Sequence, residues 1–372
     1  MKKRQSGGLA NVVAGATAIC TVGSDGHGLT YRGYRIEDLA AQANFEEVAY
    51  LLMHGDLPNA DTLRAYRARL AGMRELPAEL KSVLEQLPST SHPMDVLRTA
   101  CSALGCLEPE DSFDHQFSIA DRLLASLPSM LLYWYRYHRD GVRIETVTAD
   151  QSVAEHFLHL LTGASPLPLH VKVLDVSLTL YAEHEFNAST FAARVAASTL
   201  SDFYSCITAA IGTLRGPLHG GANEAAMALI SRYETAAAAE TGVRDALARK
   251  EKIMGFGHRV YQDSDPRSAI IKAWAEQLSQ AAGDTRYFAV SEQIERVMWE
   301  TKRLFPNLDF YSASAYFFLK IPVELYTPIF VCSRITGWAA HVFEQRANNA
   351  LIRPSADYCG PPTQSWVPLA SR

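Results

Sequence analysis

Arg215-Gly216-Pro217-Leu218-His219-Gly220-Gly221-Ala222-Asn223-Glu224 separates one helical pattern, Ser201–Leu214, from another that starts at about Asn223. A histidine between a Gly-Pro breaker and a Gly-Gly pair sits on a turn, where its ring can face a cleft and its backbone can approach a ligand. Upstream, Val171–Glu185 is apolar on most of its circumference, and Phe191–Leu200 and Phe203–Leu214 are dense in Ala, Ser and Thr. Small residues at that density predict helices packed closely on several sides, inside a domain or at a subunit interface. Downstream, Tyr233–Lys252, Ser268–Gln280 and Ser291–Leu304 read as a smaller, more exposed helical unit that ends near Ile321-Pro322. Frequent helix signals without β–α alternation predict an all-α fold.

The 372 residues suffice for one large or two medium domains with ample core. Apolar residues make up 48% and charged residues 20%, the balance of an ordinary globular protein. A net charge of −5 argues against a nucleic-acid binder, and Met1-Lys2-Lys3-Arg4 is too short for a basic arm. The six cysteines, Cys20, Cys101, Cys106, Cys206, Cys332 and Cys359, show no C-x-x-C spacing and read mostly as buried thiols. That usage fits a reducing compartment, so a cytoplasmic location is expected. No apolar h-region precedes Gly7-Gly8, and no run approaches the ~18–20 apolar residues of a membrane span. Neither a secretory signal nor a membrane partner is expected.

Residues 17–36 predict a β-hairpin, with strands Thr17–Val22 and Leu29–Arg35 around the turn Gly23–Gly28. Helices then follow at Phe45–Leu52, stopped by Gly55, and at Leu63–Met73, with Asp61 as a plausible N-cap. Further helical spacing covers Leu80–Leu87 and Val96–Leu104, the latter entered through Pro93. Ala120–His138 contains Pro128, which predicts a kink or break. Val153–Leu161 stops at Gly163, and Thr327-Pro328 opens a long helix to about Ala347. The Pro-rich tail Leu351–Arg372 is expected to wrap over a surface.

Most of the twelve histidines read as structural. His54, His138, His156, His159, His170 and His341 lie in or at the ends of helical patterns, and His27 and His115 lie in polar loops. His92 stands at a helix entrance before Pro93. His184, His219 and His258 differ in their neighbours. His184-Glu185 is followed by Ala188 where a zinc H-E-x-x-H motif needs histidine, and no other zinc spacing is present, so no metal is expected. Gly255-Phe256-Gly257 lacks the third glycine and the preceding strand of a dinucleotide site. Neither a phosphate-binding G-x-x-x-x-G-K nor a nucleophile elbow occurs. Arg267 after Asp265-Pro266, Arg334 on the long helix and Arg353 before Pro354 together suit an anionic substrate, because the guanidinium fork grips carboxylates. Asp309 is a lone carboxylate among Phe305, Phe310 and Tyr311, where burial would raise its pKa and make it a better base; its spacing equally fits a helix N-cap.

These motifs resemble the citrate synthase family. The resemblance is carried by Arg215–Glu224, by Gly255-Phe256-Gly257-His258-Arg259-Val260-Tyr261 with Asp265-Pro266-Arg267, and by Pro306-Asn307-Leu308-Asp309-Phe310, in order and at family-like spacing. Tyr31–Tyr34, Ser91–Val96, Tyr181–Thr190, Gly337–His341 and Ile352–Ala356 are most similar to its bacterial propionate-using branch. Leu218 departs from that branch, where a lysine is common; the wider family accepts leucine there.

The resemblance implies condensation of propionyl-CoA with oxaloacetate and water to 2-methylcitrate and CoA, with acetyl-CoA also accepted. The alternative is a citrate synthase using acetyl-CoA. It implies Asp309 as the base that removes the α-proton, His219 as the donor to the enolate oxygen and His258 as the donor that polarises the ketone. His184, Asn187, Arg267 and Arg334 would hold oxaloacetate, with Arg353 arriving from the neighbouring subunit of a homodimer. Lys252, Ile253, Met254, Gly255 and Phe256 would receive coenzyme A, and Lys250 or Lys252 would face its phosphates. No cofactor is implied. The implied fold is all-α, with a large domain in two segments, 1–220 and 323–372, and a small domain, 221–322, between them.

Overall fold

Residue 9, residues 12–23 and residues 28–372 are described by the structure, a computed structural model. Three short antiparallel strands lie near the start: β1 Cys20–Val22, β2 Leu29–Tyr31 and β3 Tyr34–Arg35, in that order. Cys20 faces Tyr31 and Val22 faces Leu29, as a hairpin requires. Gly23 N–H donates to Gly28 O at 2.6 Å; Ser24–His27 of the expected turn lie outside the described residues. The expected second strand, Leu29–Arg35, is in fact two. Arg32 (φ 49°) and Gly33 (φ 87°) both take left-handed backbone and fold β3 back on β2. Gly33 adopts that geometry freely; Arg32 is held there by its guanidinium, which donates to Leu52 O from Nε at 3.3 Å and from Nη2 at 2.9 Å.

The rest is helical. The first helices are α1 Ile36–Gln42, α2 Phe45–His54, α3 Ala60–Ala71 and α4 Ala78–Gln86. There follow α5 Pro93–Leu107, α6 Gln116–Asp140, α7 Val153–Thr162 and α8 Pro168–Tyr181. Next come α9 Ala188–Ser198, α10 Phe203–Leu214, α11 Ala222–Ile230 and α12 Ala236–Ala248. The last are α13 Pro266–Ala282, α14 Arg286–Lys302, α15 Leu308–Phe318 and α16 Tyr326–Ala347.

Gly55 and Gly163 end α2 and α7 in left-handed backbone, as their positions predict. The cap of α3 is Asn59, not Asp61: Asn59 Oδ1 accepts from Asp61 N at 3.1 Å and from Thr62 N at 2.9 Å. Asp61 lies within the first turn, where its charge meets the positive helix end. Pro128 does not break α6, which runs unbroken for 25 residues. Nearly every residue from Ile119 to Tyr135 is buried. That packing outweighs the ~3 kcal/mol that proline costs inside a helix.

Helix α16 is the axis of the larger body. Almost all of Tyr326–Phe343 is buried, and the helix packs against α2, α6, α8, α9 and α10. The small-residue helices pack closely there: α10 lies on both α5 and α9, and a Cβ at Gly105 of α5 would meet Tyr204 Cβ of α10 at 2.7 Å. Helices α11–α15 form a second group, with α12 on α14 and α13 on α15. The two groups meet where α13 touches α1 and α8, and where α11 touches α16.

The tail is tied to α9 near its start. Asn349 Nδ2 donates to Ser198 O at 3.1 Å and Ile352 N donates to Ser198 Oγ at 3.1 Å. From Arg353 onward every residue is exposed, including Tyr358, Trp366 and Leu369. The tail therefore does not wrap over its own chain. Among the described residues, no helix is long and apolar enough to cross a membrane.

Candidate active site

His219 sits on the turn between α10 and α11. Gly220 lets the turn pass close to α10: a Cβ there would stand 2.2 Å from Leu214 O. The imidazole Nε2 lies 3.2 Å from Ser189 N and 2.8 Å from Ser189 Oγ. A backbone amide can only donate, so Nε2 accepts and the ring proton is on Nδ1. Trp338 Nε1 donates to the same Ser189 Oγ at 3.1 Å, which ties the arrangement to α16. Burial, then the nearby Arg334, lowers the His219 pKa to about 4. At neutral pH this ring is an uncharged donor.

His258 is prepared in the opposite sense. Its Nδ1 accepts from Val260 N at 3.1 Å and from Tyr261 N at 3.3 Å. The proton is therefore on Nε2. Burial, then Arg267, lowers this pKa to about 4 as well. His184, just beyond the end of α8, faces it with ring centroids 5.0 Å apart. His184 Nε2 lies 3.1 Å from Tyr261 Oη. Burial, followed by the charge of Arg267, pushes its pKa well down.

Asn187 reaches the site as the cap of α9. Its Oδ1 accepts from Thr190 N at 3.2 Å and from Ser189 Oγ at 2.8 Å. Its Nδ2 donates to Thr190 Oγ1 at 2.9 Å and to the His184 and Glu185 carbonyls at 3.3 Å each. These bonds hold the His184 turn against α9. Glu185 is in left-handed backbone (φ 53°) within that turn.

Two arginines come into the same region. Arg267 is buried and forms a fork with Asp265, Nε and Nη2 each donating at 2.9 Å. Asp265 Oδ2 also accepts from Leu308 N at 3.0 Å, which pins the start of α15 to the start of α13. Arg334 is 1% exposed. Its Nε donates to Tyr181 O at 2.6 Å, and its guanidinium carbon lies 4.6 Å over the Phe330 ring. Among the described residues it has no ion-pair partner. The buried Glu183 carboxylate, which does not touch it, partly offsets the cost of that burial, and a ligand carboxylate would add to the offset.

Asp309 is half-buried in the first turn of α15; the cap itself is Asn307, whose Oδ1 accepts from Asp309 N at 3.1 Å. Asp309 Oδ1 accepts from Tyr181 Oη at 2.6 Å. Burial raises its pKa, against the lowering effects of the Tyr181 bond and of Arg267. The carboxylate is thus a stronger base than an exposed aspartate.

The Lys252–Phe256 stretch is laced to the chain just before Asp309. Asn307 N donates to Gly255 O and Gly257 N donates to Phe305 O, at 2.9 and 2.8 Å. Gly255 (φ 87°) packs so closely that a Cβ would stand 3.0 Å from Phe310 Cβ. Ile253, Met254 and Phe256 are partly covered and Lys252 is exposed.

His219, His258, His184, Arg267, Arg334 and Asp309 are thus linked through Ser189, Tyr261, Tyr181 and Phe330. Arg353 is not among them: within its own chain it is exposed on the departing tail. Tyr181, Asp265, Ser189 and Trp338 carry no role in the sequence reading. Asp265 stands two residues before Arg267 and signals its pairing; Tyr181 looks only like one more apolar residue of its helix. His156 and His341 are satisfied core histidines, held at Thr148 Oγ1 (2.8 Å) and Glu183 Oε1 (2.8 Å) respectively.

This arrangement offers a raised-pKa carboxylate, two neutral imidazoles with fixed donors, and cations for carboxylate groups. It is equipped for abstraction of a weakly acidic C–H proton and for activation of a carbonyl. The sequence profile described as "Citrate synthase, C-terminal domain" matches residues 8–355. A 2-methylcitrate synthase of Shewanella oneidensis is 60% identical over 371 residues, covering 100% of this chain and 99% of its own. A citrate synthase of Mycolicibacterium smegmatis is 45% identical, over 97% of this chain and 96% of its own. Among solved structures, the ternary complex of citrate synthase from Thermoplasma acidophilum with carboxymethyl coenzyme A and oxaloacetate superposes with a TM-score of 0.91. It is 34% identical and covers 97% of this chain and 98% of its own.

Proposed function

This chain belongs to the citrate synthase family, and we propose that it is an acyltransferase acting as a 2-methylcitrate synthase. It condenses propionyl-CoA with oxaloacetate and water to 2-methylcitrate and CoA, and also accepts acetyl-CoA. The observation that carries the reading is Arg334, a buried guanidinium with no carboxylate in contact among the described residues, beside His184, Arg267 and the Asp309 base.

Asp309 takes the α-proton of the acyl-CoA through its free oxygen, Oδ2. The electron pair moves onto the thioester oxygen, which meets the Nδ1–H of His219. His258 donates its Nε2–H to the oxaloacetate ketone and draws the carbanion equivalent onto that carbon. Water then cleaves the thioester and releases CoA. His184, Arg267 and Arg334 hold the oxaloacetate carboxylates, and Asn187 supports the His184 turn. Arg353 of the partner subunit completes the set in a homodimer. Lys252, Ile253, Met254, Gly255 and Phe256 receive coenzyme A. No resident cofactor or metal is part of the reaction. Residues 1–220 and 323–372 form the large domain and 221–322 the small one; closing the cleft between them excludes water from the enolate. We place the enzyme in the cytoplasm, as its free thiols suit.

Thiol release from propionyl-CoA tests the reading. It should depend on oxaloacetate, and the product should have the mass of methylcitrate. Asp309→Asn should lower kcat by roughly 10²–10⁴-fold, with oxaloacetate binding retained. No CoA release from either acyl-CoA would overturn the assignment. A citrate synthase preferring acetyl-CoA is the second reading, favoured by the relatives of that name at 45% identity.

A further inference from the structure

Tyr181 ends α8 and meets the site in three ways. Its hydroxyl donates to Asp309 Oδ1 at 2.6 Å. Its carbonyl accepts from Arg334 Nε at 2.6 Å. Its ring packs on Phe330, centroids 4.6 Å apart, and Phe330 in turn carries the Arg334 guanidinium on its face. The phenol also lies 2.8 Å from Ser312 Oγ, one turn along α15 from Asp309. One buried side chain thus spans the proposed base and the proposed carboxylate-binding cation.

We propose that Tyr181 is a positioning residue for the base: its hydroxyl anchors Asp309 Oδ1, leaves Oδ2 to take the substrate proton, and tunes the carboxylate's basicity. The inference rests on the reading of Asp309 as the base. The terminal torsion of an aspartate is soft, so without a partner its two oxygens wander. A short, charge-assisted bond at one oxygen fixes the plane and aims the other. In the proton-transfer step the substrate C–H bond breaks, its electron pair goes to the thioester oxygen, and the proton arrives on Oδ2. The phenol keeps its own proton throughout. Burial, then the Asp309 charge, pushes its pKa far above neutrality.

The same bond opposes the burial that raises the Asp309 pKa. The groups acting on Asp309 are Tyr181 on α8, Arg267 and Asp265 at the start of α13, Arg334 on α16 and Tyr316 on α15 itself. Of the other helices against α15, α14 turns Glu295 to Tyr311 and Lys272, and α11 turns Glu224 to Thr327. Removing the hydroxyl therefore leaves burial less opposed, and the Asp309 pKa rises further.

Tyr181→Phe keeps the ring and the carbonyl and removes only the hydroxyl. The test is the pH profile of kcat/KM for propionyl-CoA at saturating oxaloacetate. Burial lowers the His219 and His258 pKa values and raises that of Asp309, so the acid limb is read as that of Asp309. In Tyr181→Phe the limb should move up by about one pH unit. Above it, kcat should fall about tenfold while the KM for oxaloacetate changes less than about threefold. An unmoved limb with an even loss at every pH would overturn the proposal. So would loss of the rise in Tm that oxaloacetate gives, since the hydroxyl would then be holding the whole pocket. Asp309→Asn runs in parallel. Near-normal turnover there would remove the base assignment itself, whereas an inactive Asp309→Asn beside an unshifted Tyr181→Phe would overturn the role of Tyr181 alone.

Discussion

Burying the Arg334 guanidinium with only the Tyr181 carbonyl as hydrogen-bond partner takes a full charge out of water with no carboxylate in contact; the buried Glu183 offsets part of that cost from a distance. Arg267 is different, because Asp265 already neutralises it through a two-bond fork. The free enzyme thus holds one directly paired cation and one only partly compensated from a distance, and the second is where binding a dicarboxylate gains most. Arg334→Met removes the cation and keeps a side chain of similar volume, so the effect of oxaloacetate on Tm can be compared directly. The wild type should gain about 2.7 kcal/mol of stability at oxaloacetate a hundredfold above its Kd. The variant should lose nearly all of that gain. Thermal melts with and without oxaloacetate decide it; an undiminished shift in Arg334→Met would mean that the guanidinium does not meet the ligand.

Helix contacts set how closely the site's supports approach one another. Gly105 of α5 faces Tyr204 of α10 with no room for a Cβ, and Tyr204 is itself buried. Gly105→Ala should destabilise the chain by about 1–3 kcal/mol through overpacking, read from denaturant midpoints. A neutral result would show that α5 and α10 separate easily. Much at this scale is legible in the sequence. Gly55 and Gly163 stop their helices, Pro93 opens α5, and small residues mark α9 and α10 as close-packed. What local signals misplace are choices between near-equal neighbours. Asn59 and Asp61 are both good caps, and only the chain's approach selects the first. Pro128 reads as a kink or break because its cost is local, while the burial that keeps the helix continuous comes from distant helices. The site divides in the same way. His219, His258 and Asp309 stand on motifs, but Tyr181 is linked to Asp309 across 128 residues and Trp338 to Ser189 across 149, which no local spacing encodes.

At the scale of the molecule, the tail leaves the body at Arg353 with Tyr358, Trp366 and Leu369 bare. If Arg353 serves the neighbouring subunit, each subunit completes its partner's site, and two differently crippled chains can rescue one another. His258→Ala and Arg353→Ala should each be nearly inactive alone. Mixed by co-refolding, half-repaired dimers should restore up to about a quarter of wild-type turnover, as random pairing in a two-fold assembly gives one intact site in four. No recovery on mixing would place Arg353 outside the partner's site. The acyl-CoA that the whole cleft selects is a question of one methylene in an apolar pocket, worth ~1–3 kcal/mol. The most direct test of the proposed activity is therefore kcat/KM for propionyl-CoA against acetyl-CoA, by thiol release at saturating oxaloacetate. The proposal predicts propionyl-CoA ahead by about tenfold or more; an equal or higher value for acetyl-CoA would contradict it.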